Sequence, residues 1–260
     1  MIGQESIATN TNPIYNRERF DEAHNVIIKA WTEPGPFRHE GKHYQYRVVN
    51  PWVIPLQKPH PPIWIPGVAS SESVVWAAKH KYPYVALAPP VDLLKGIYEL
   101  YDETAKADGW KPTSEHRAYA VRINVADTDE KAYEEGKNFY WQLGTSFGVT
   151  PPHWQAPPGY ISRSSAQGAR EAARTTASNI TPGGPGLPYD DAQETVQIIT
   201  GDPDTVINKL KRIIDLINPG TIVLWGREGP MSHKVAMRNI DLLTQEVIPA
   251  IKEYQAVQQG

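Results

Sequence analysis

The chain has 260 residues, with 24 prolines, 19 glycines and no cysteine, so disulfides, thiolate metal sites and a cysteine nucleophile are excluded. Its 26 basic and 29 acidic side chains give a formal net charge of −3, which argues against a nucleic-acid-binding or anionic-membrane surface, because both need clustered positive charge. At 40%, the hydrophobic residues suffice for a core.

The sequence shows no membrane or secretion signal. No apolar run approaches the ~18–20 residues that span a bilayer. The first residues have neither the basic stretch nor the apolar segment of a secretory signal. We therefore expect a cytoplasmic protein that binds neither membranes nor nucleic acid.

The first sixty residues contain one clear helical pattern. Residues 1–15 are polar and rich in turn formers, which is typical of a loop. Apolar residues then recur at helical spacing across 17–32, and the prolines of 34–36 end the run. A proline-rich connection follows over 37–62, and 44–49 is predicted to be extended.

Beyond this connection, short apolar runs alternate with amphipathic segments. We predict strands at 63–65, 84–87, 119–125 and 221–225. We predict five helices in this part of the chain. The first begins at Ser70 or Ser71, the second spans 93–107, and the third runs from a capping-box-like start at 127–130 to about 143. The fourth spans 203–217 and the fifth runs through 237–251. Alternation of strand and helix predicts an α/β fold with a parallel sheet.

Residues 144–190 have many glycines and prolines but little periodicity. A stretch this long without regular structure is usually a functional lid or disordered, and we interpret it as an insertion. Its aromatic residues Phe147, Trp154 and Tyr160 could cover a site or pack as a small separate cluster. His153 could reach a substrate if the insertion closes, although most loop histidines are solvated.

The turn after the 63–65 strand is the best candidate site. It comprises Gly67, Val68, Ala69, Ser70 and Ser73. A strand that ends in a glycine turn and leads into a helix presents unpaired backbone N–H groups and the positive end of the helix dipole. The two serine hydroxyls add donors, so the turn could hold a phosphate. The spacing alone favours Ser70 as a simple helix cap, because serine is common in that role.

A second candidate follows the 221–225 strand. Trp225 and Arg227 are expected at the carboxyl end of the parallel strands, where the active sites of parallel α/β barrels lie. Arg227 could contact an anionic substrate or cofactor, or could pair with Glu228 or a neighbouring acid. Arg122 and Asn124 alternate with apolar residues in their strand. They could face a cofactor cavity, but are expected to lie toward the rim of the helix layer. The eight histidines form no metal-ligand pattern.

Several blocks of the sequence, in this order, resemble the bacterial-luciferase-like, flavin-dependent monooxygenases. The resemblance rests on residues 17–23, 30–33, 36–37, 40–44, 58–65 with Gly67 and Ser70, 201–206 and 246–249. It covers about residues 15–250. Each motif is weak, but their ordered combination is specific.

The resemblance implies a fold and a cofactor. Members are single-domain (β/α)8 barrels with a late insertion that bind reduced FMN, or in some branches a deazaflavin. The turn that matches Ser70 and Ser73 holds the flavin phosphate in the family. Aligned by motif, residue 1 lies just before the family's fourth barrel helix. We therefore expect one domain over 1–260, incomplete at its N-terminus: a partial (β/α)8 barrel with about four parallel strands.

The implied function is a flavin-dependent monooxygenase that uses reduced FMN and O2 to oxidise a small organic substrate. A separate flavin reductase would supply the flavin, and the protein is expected to be a homo-oligomer. No position corresponds to the family's early catalytic residues, so the catalytic residues are unknown. Two alternatives remain, namely deazaflavin-dependent hydride transfer and a non-catalytic flavoprotein or structural subunit that pairs with another chain.

Overall fold

The computed structural model describes residues 3–68, 70–139, 154, 157, 159–160 and 188–259. The chain divides into two compact units. The first unit contains residues 1–63, 150–175 and 181–183, and the second unit contains 64–149, 176–180 and 184–260. Most of the predicted insertion, including Phe147 and His153, lies outside the described residues. No described helix has the length and apolar character to cross a membrane.

The first unit consists of helices and a hairpin. Its elements are α1 (Gly3–Ala8), a 3₁₀ turn (Pro13–Tyr15), α2 (Asn16–Thr32), β1 (Phe37–Glu40) and β2 (Gln45–Val49). Helix α2 and strand β2 confirm the predicted helix and extended segment. Strand β1, which pairs antiparallel with β2, was not predicted, because it lies in the proline-rich connection.

Glu22 on α2 fastens the turn of the hairpin. Its Oε1 accepts hydrogen bonds from His39 Nε2 at 3.0 Å and the Tyr44 N–H at 2.9 Å, and its Oε2 accepts from the His43 N–H at 2.9 Å. Burial by itself would raise the pKa of Glu22, but these three hydrogen bonds outweigh it and lower the pKa to about 2. A Cβ on Gly41 would collide with the Glu22 carboxylate, so the turn requires glycine there.

The second unit is an α/β structure. Its strands are β3 (Ile65–Gly67), β4 (Tyr84–Leu87), β5 (Arg117–Val125), β6 (Ile198–Gly201) and β7 (Thr221–Trp225). Its helices are α3 (Ser71–Lys79), α4 (Val91–Ala107), α5 (Asp129–Gly136), α6 (Tyr189–Glu194), α7 (Pro203–Ile217), α8 (His233–Leu242) and α9 (Ile248–Gln259), with a π-helical turn between α8 and α9. Every strand pair in this sheet is parallel, which confirms the predicted fold class.

The pairing register shows that the five strands occupy four positions across the sheet. Strand β4 pairs with β5 as far as Ala120, and β6 pairs with β5 from Arg122 to Val125. Strand β7 pairs with β5 from Ala118 to Arg122. Strands β6 and β7 both pair with Arg122, so they lie on opposite sides of β5. Strands β4 and β7 also lie on opposite sides, because both pair with Ala118–Ala120. Strand β6 is therefore on the same side of β5 as β4 and continues its line. The sequence analysis missed β6, which has only two apolar residues before Thr200.

Several predictions are wrong: residues 1–15, predicted to be a loop, contain helix α1, and the last helical segment begins at His233 and not near residue 237. Two further boundaries also differ. The strand predicted at 63–65 lies at 65–67, because Ile65 pairs with Tyr84 and the pairing continues through Gly67. Among the described strands β3 lies at an edge of the sheet, a position where proline is tolerated. The helix predicted to reach residue 143 leaves the α-helical conformation after Gly136 and continues as a 3₁₀ turn over 137–139. Glycine is a weak helix former, which accounts for the early end.

The two faces of the sheet differ. On β5, Tyr119, Val121 and Ile123 are buried on one face, and the buried apolar side chains of α4 and α7 supply the facing core. The neighbouring positions Leu87 on β4 and Val223 on β7 belong to the other face and are partly exposed. Helices therefore cover one face of the sheet.

Asn239 on α8 lengthens the sheet beyond the end of β7. It is fully buried, and its Oδ1 accepts a hydrogen bond from the Val125 N–H at 2.7 Å. Its Nδ2 donates to the Ile123 carbonyl at 3.0 Å and to the Gly226 carbonyl at 2.9 Å. The side-chain amide thus replaces the backbone of a neighbouring strand and satisfies three buried groups.

Candidate functional site

The turn between β3 and α3 lies at the carboxyl edge of the parallel sheet. Gly67 is the last residue of β3, so the turn begins one residue later than predicted. Val68 is half exposed, and Ala69 lies outside the described residues. Ser70 is extended, with φ −70° and ψ 114°, and stands directly before α3. Active sites of parallel barrels are built from turns at this edge.

Gly67 is required by a close approach of Tyr84. A Cβ at position 67 would lie 2.5 Å from the Tyr84 hydroxyl. That hydroxyl is buried and has no hydrogen-bond partner in the described part of the chain. Burial raises the pKa of Tyr84, so the hydroxyl keeps its proton. An unpaired donor therefore lies directly beside the start of the turn.

Two serine hydroxyls, those of Ser70 and Ser71, donate to Glu72 instead of capping the helix. Ser70 donates its hydroxyl to Glu72 Oε2 at 3.1 Å, and Ser71 donates to the same oxygen at 3.4 Å. Ser73 donates its hydroxyl to Ser70 Oγ at 3.3 Å. The Ser70 carbonyl accepts from the N–H groups of Ser73 and Val74, but its side chain makes no cap hydrogen bond. The simple-cap interpretation is therefore wrong.

This arrangement fits an anion such as a phosphate. The Ser73 and Val74 N–H groups already bond to the Ser70 carbonyl, and the helix dipole makes this end of α3 positive. The structure brings Ser70 and Ser73 together, as the prediction requires. The Glu72 carboxylate accepts hydrogen bonds from the Ser70 and Ser71 hydroxyls, as a bound anion would. A phosphate would replace this carboxylate as the acceptor.

A buried ion pair stands at the same edge of the sheet. Arg122 Nε on β5 lies 2.9 Å from Glu228 Oε2, and both side chains are largely buried, with 11% and 6% exposed. The Arg122 guanidinium lies over the Trp225 ring, 5.1 Å from its centroid. Sequence reasoning missed this pair, because 106 residues separate its members.

Arg227 is not the partner of Glu228. Its side chain is exposed and forms no ion pair with any described residue. Its carbonyl accepts a hydrogen bond from Trp225 Nε1 at 2.7 Å, which fixes the turn after β7. The predicted alternative of an Arg227–Glu228 pair is therefore wrong, and the Arg227 guanidinium is available to a ligand.

Asn124, singled out in the sequence, and His60, in the proline-rich connection, have structural roles. Asn124 is buried and donates to the Ala132 carbonyl at 3.3 Å and to Glu135 Oε2 at 3.4 Å, which joins β5 to α5. His60 donates from Nδ1 to the Pro61 carbonyl at 2.8 Å. No group of three potential metal ligands occurs among the residues described.

Known proteins similar to this chain include one curated relative. The chain is 25% identical over 242 residues to the uncharacterized protein y4vJ of Sinorhizobium fredii strain NBRC 101917 / NGR234. The match covers 90% of this chain and 62% of the relative. The chain therefore spans less than two thirds of the length of this relative.

Three solved structures share the fold at low sequence identity. Monooxygenase RslO1 from Streptomyces bottropensis has a TM-score of 0.67 and 21% identity, with 96% of this chain and 66% of that chain covered. The oxygenating constituent of 3,6-diketocamphane monooxygenase from Pseudomonas putida, in complex with FMN, has a TM-score of 0.61 and 21% identity, with coverages of 90% and 63%. An F420-dependent secondary alcohol dehydrogenase, in complex with an F420-acetone adduct, has a TM-score of 0.60 and 19% identity, with coverages of 88% and 60%.

A match to a family model identifies the family of the chain. The model described as luciferase-like monooxygenase matches residues 9–217, which is most of the chain. This match agrees with the parallel α/β sheet and with the solved structures of similar fold. The chain belongs to the luciferase-like monooxygenase family.

Proposed function

We propose that the protein is a flavin-dependent monooxygenase that uses reduced FMN and O2 to oxidise a small organic substrate. A separate reductase supplies the reduced flavin. The observation that carries the proposal is the pair of hydroxyls, Ser70 and Ser73, at the uncapped N-terminus of α3. Membership of the luciferase-like monooxygenase family and the FMN-bound structure of similar fold support it.

The turn between β3 and α3 would bind the phosphate of FMN. The Ser70 hydroxyl, which donates to Glu72, and the Ser73 hydroxyl would donate to the phosphate. N–H groups of the first helical turn add charge-assisted hydrogen bonds, which are stronger than those between neutral groups. The Glu72 carboxylate would have to give way, because it would repel the phosphate.

The residues after β7 would form one side of the substrate cavity. Reduced FMN supplies the electrons that activate O2, so the protein needs few reactive side chains. The Trp225 ring would offer an apolar surface that keeps water away, and the Arg122 guanidinium packs over that ring. Because Glu228 neutralises Arg122, the exposed guanidinium of Arg227 is the group that would attract an anionic substrate or the flavin.

Deazaflavin-dependent hydride transfer is the second candidate. The F420-dependent dehydrogenase of similar fold favours it. A deazaflavin tail also carries phosphate, so the turn between β3 and α3 would serve both cofactors. The two functions differ in their use of O2, because hydride transfer consumes none.

The test is oxygen uptake by the full chain with reduced FMN, over a panel of small organic compounds supplied with ¹⁸O2. Incorporation of ¹⁸O into one compound is the expected result. Reduction of a substrate by reduced deazaflavin without oxygen uptake would replace the proposal with the second candidate. Failure of the folded chain to bind either cofactor would make it a non-catalytic subunit.

A further inference from the structure

The Tyr84 hydroxyl is a buried donor that the chain itself does not use. The Tyr84 side chain is fully buried, and its hydroxyl has no hydrogen-bond partner among the residues that the structure describes. The buried tyrosines Tyr98, Tyr101 and Tyr119 differ, because each donates its hydroxyl to a backbone carbonyl at 2.6–2.9 Å. An unpaired buried hydroxyl lowers stability, so the placement of Tyr84 needs a physical reason.

The Tyr84 side chain runs along the sheet towards its carboxyl edge. Tyr84 pairs with Ile65 in the register of β3 and β4, but its hydroxyl reaches Gly67, two residues further along β3. Two residues of a parallel strand span roughly 6.6 Å. Only a residue without a side chain leaves room there, because a Cβ on Gly67 would lie 2.5 Å from the hydroxyl. The hydroxyl therefore lies at the base of the turn between β3 and α3.

Packing holds the Tyr84 ring in this direction. The Tyr98 ring on α4 meets it edge-on, with 6.4 Å between the centroids and 74° between the planes. The Tyr98 hydroxyl also donates to the Tyr84 carbonyl at 3.0 Å. Burial raises the pKa of Tyr84, so the hydroxyl keeps its proton and can donate it.

We propose that the Tyr84 hydroxyl is the third donor of the phosphate site, beside Ser70 and Ser73, and that the site selects a terminal phosphate. This inference rests on the proposed function. A phosphate monoester has three strong acceptor oxygens, which three hydroxyls match in number. Glu72 accepts from Ser70 and Ser71 but not from Tyr84. A phosphate in the turn would give Tyr84 the acceptor that the chain does not supply, in a charge-assisted hydrogen bond.

This role predicts opposite effects of Tyr84→Phe on stability and on binding. The variant keeps the ring and removes an unpaired buried hydroxyl, so the urea midpoint of the chain without flavin should stay the same or rise. FMN should bind roughly 10- to 150-fold more weakly, because a hydrogen bond to a charged group is lost. Riboflavin, which lacks the phosphate, should bind as it does to the wild type.

Tyr101→Phe is the matched control. It makes the same chemical change at another fully buried side chain, whose hydroxyl donates to the Tyr82 carbonyl at 2.9 Å. Tyr82 precedes β4, so this bond lies at the end of the strand away from the turn. Tyr101→Phe should lower the urea midpoint and keep the wild-type preference for FMN over riboflavin.

The test is fluorescence titration of the full chain with FMN and with riboflavin, for the wild type and the two variants, together with urea unfolding. The FMN preference should fall in Tyr84→Phe alone. If Tyr84→Phe keeps the preference while Ser70→Ala/Ser73→Ala loses it, the inference is wrong and the phosphate site stands. Equal weakening of both flavins, with a lower urea midpoint, would make Tyr84 a structural residue. A wild type without any preference for FMN would overturn the phosphate site and this inference together.

Discussion

Ser70 donates its hydroxyl to Glu72 Oε2 at 3.1 Å and leaves the helix that follows without a side-chain cap. A serine in this position ordinarily accepts a hydrogen bond from the backbone two or three residues later. Here the hydroxyl acts as a donor to an anion of the chain itself. The proposed phosphate site at the start of α3 rests on this relationship.

Glu72 is expected to compete with the bound phosphate. Glu72→Gln removes the negative charge and should tighten FMN binding by on the order of 1 kcal/mol, the interaction of two charges about 4 Å apart in water. Fluorescence titration of FMN measures the change. Glu103→Gln, at an exposed position of α4, is the control and should have no effect. Weaker binding to Glu72→Gln would show that the carboxylate helps to build the site.

Gly67 and Tyr84 are expected to be coupled. Gly67→Ala places a Cβ 2.5 Å from the Tyr84 hydroxyl and should lower the free energy of unfolding by about 1–3 kcal/mol, as overpacking usually does. Tyr84→Phe removes the clashing oxygen, and it should restore part of that loss in the double variant. Urea unfolding of the two single variants and the double variant forms the test. Additive effects would contradict the contact.

Asn239 is expected to be essential for stability. Asn239→Ala leaves the Val125 N–H and the carbonyls of Ile123 and Gly226 without their partner. Each unsatisfied buried group costs about 1–3 kcal/mol, so the free energy of unfolding should fall by at least about 3 kcal/mol. Asn208→Ala, on the exposed side of α7, should change it little. Equal effects of the two substitutions in urea unfolding would refute the role of Asn239.

The hairpin should lose stability in acid through Glu22. The pKa of Glu22 in the folded chain is about 2, below its ordinary 4.5, so its contribution is complete above pH 4.5 and disappears as the pH falls towards 2. Thermal unfolding of wild type and Glu22→Gln between pH 6 and pH 2.5 tests this. The gap between their midpoints should shrink below pH 4.5. A gap that stays constant across this range would count against the proposed hydrogen bonds.

Much of the fold follows from local sequence signals. Helix α7 begins where Asp202 and Pro203 predict, and the Asp202 side chain accepts from the Thr205 N–H. Strand β7 lies where its apolar run predicts. Strand β6 was missed because its stability comes from pairing with β5, and the short run of Ile198 and Ile199 is too weak a local signal.

The candidate site was only partly predictable. The serines were found because a glycine turn before a helix is a local pattern, whereas their direction depends on the Glu72 side chain. The pair of Arg122 and Glu228 joins two distant strand ends. Glu228 was weighed only as a partner of the adjacent Arg227. Contacts of this kind are created by the register of the sheet, which no local pattern contains.

The most direct test of the phosphate site compares FMN with riboflavin, which lacks the phosphate. Both affinities are measured by fluorescence titration for the wild type, for the double variant Ser70→Ala/Ser73→Ala and for the control Ser71→Ala. The wild type and the control should prefer FMN, and the double variant should lose about 1.5–3 kcal/mol of that preference, or roughly 10- to 150-fold. Equal wild-type affinities for FMN and riboflavin, or an unchanged preference in the double variant, would contradict a phosphate site at this turn.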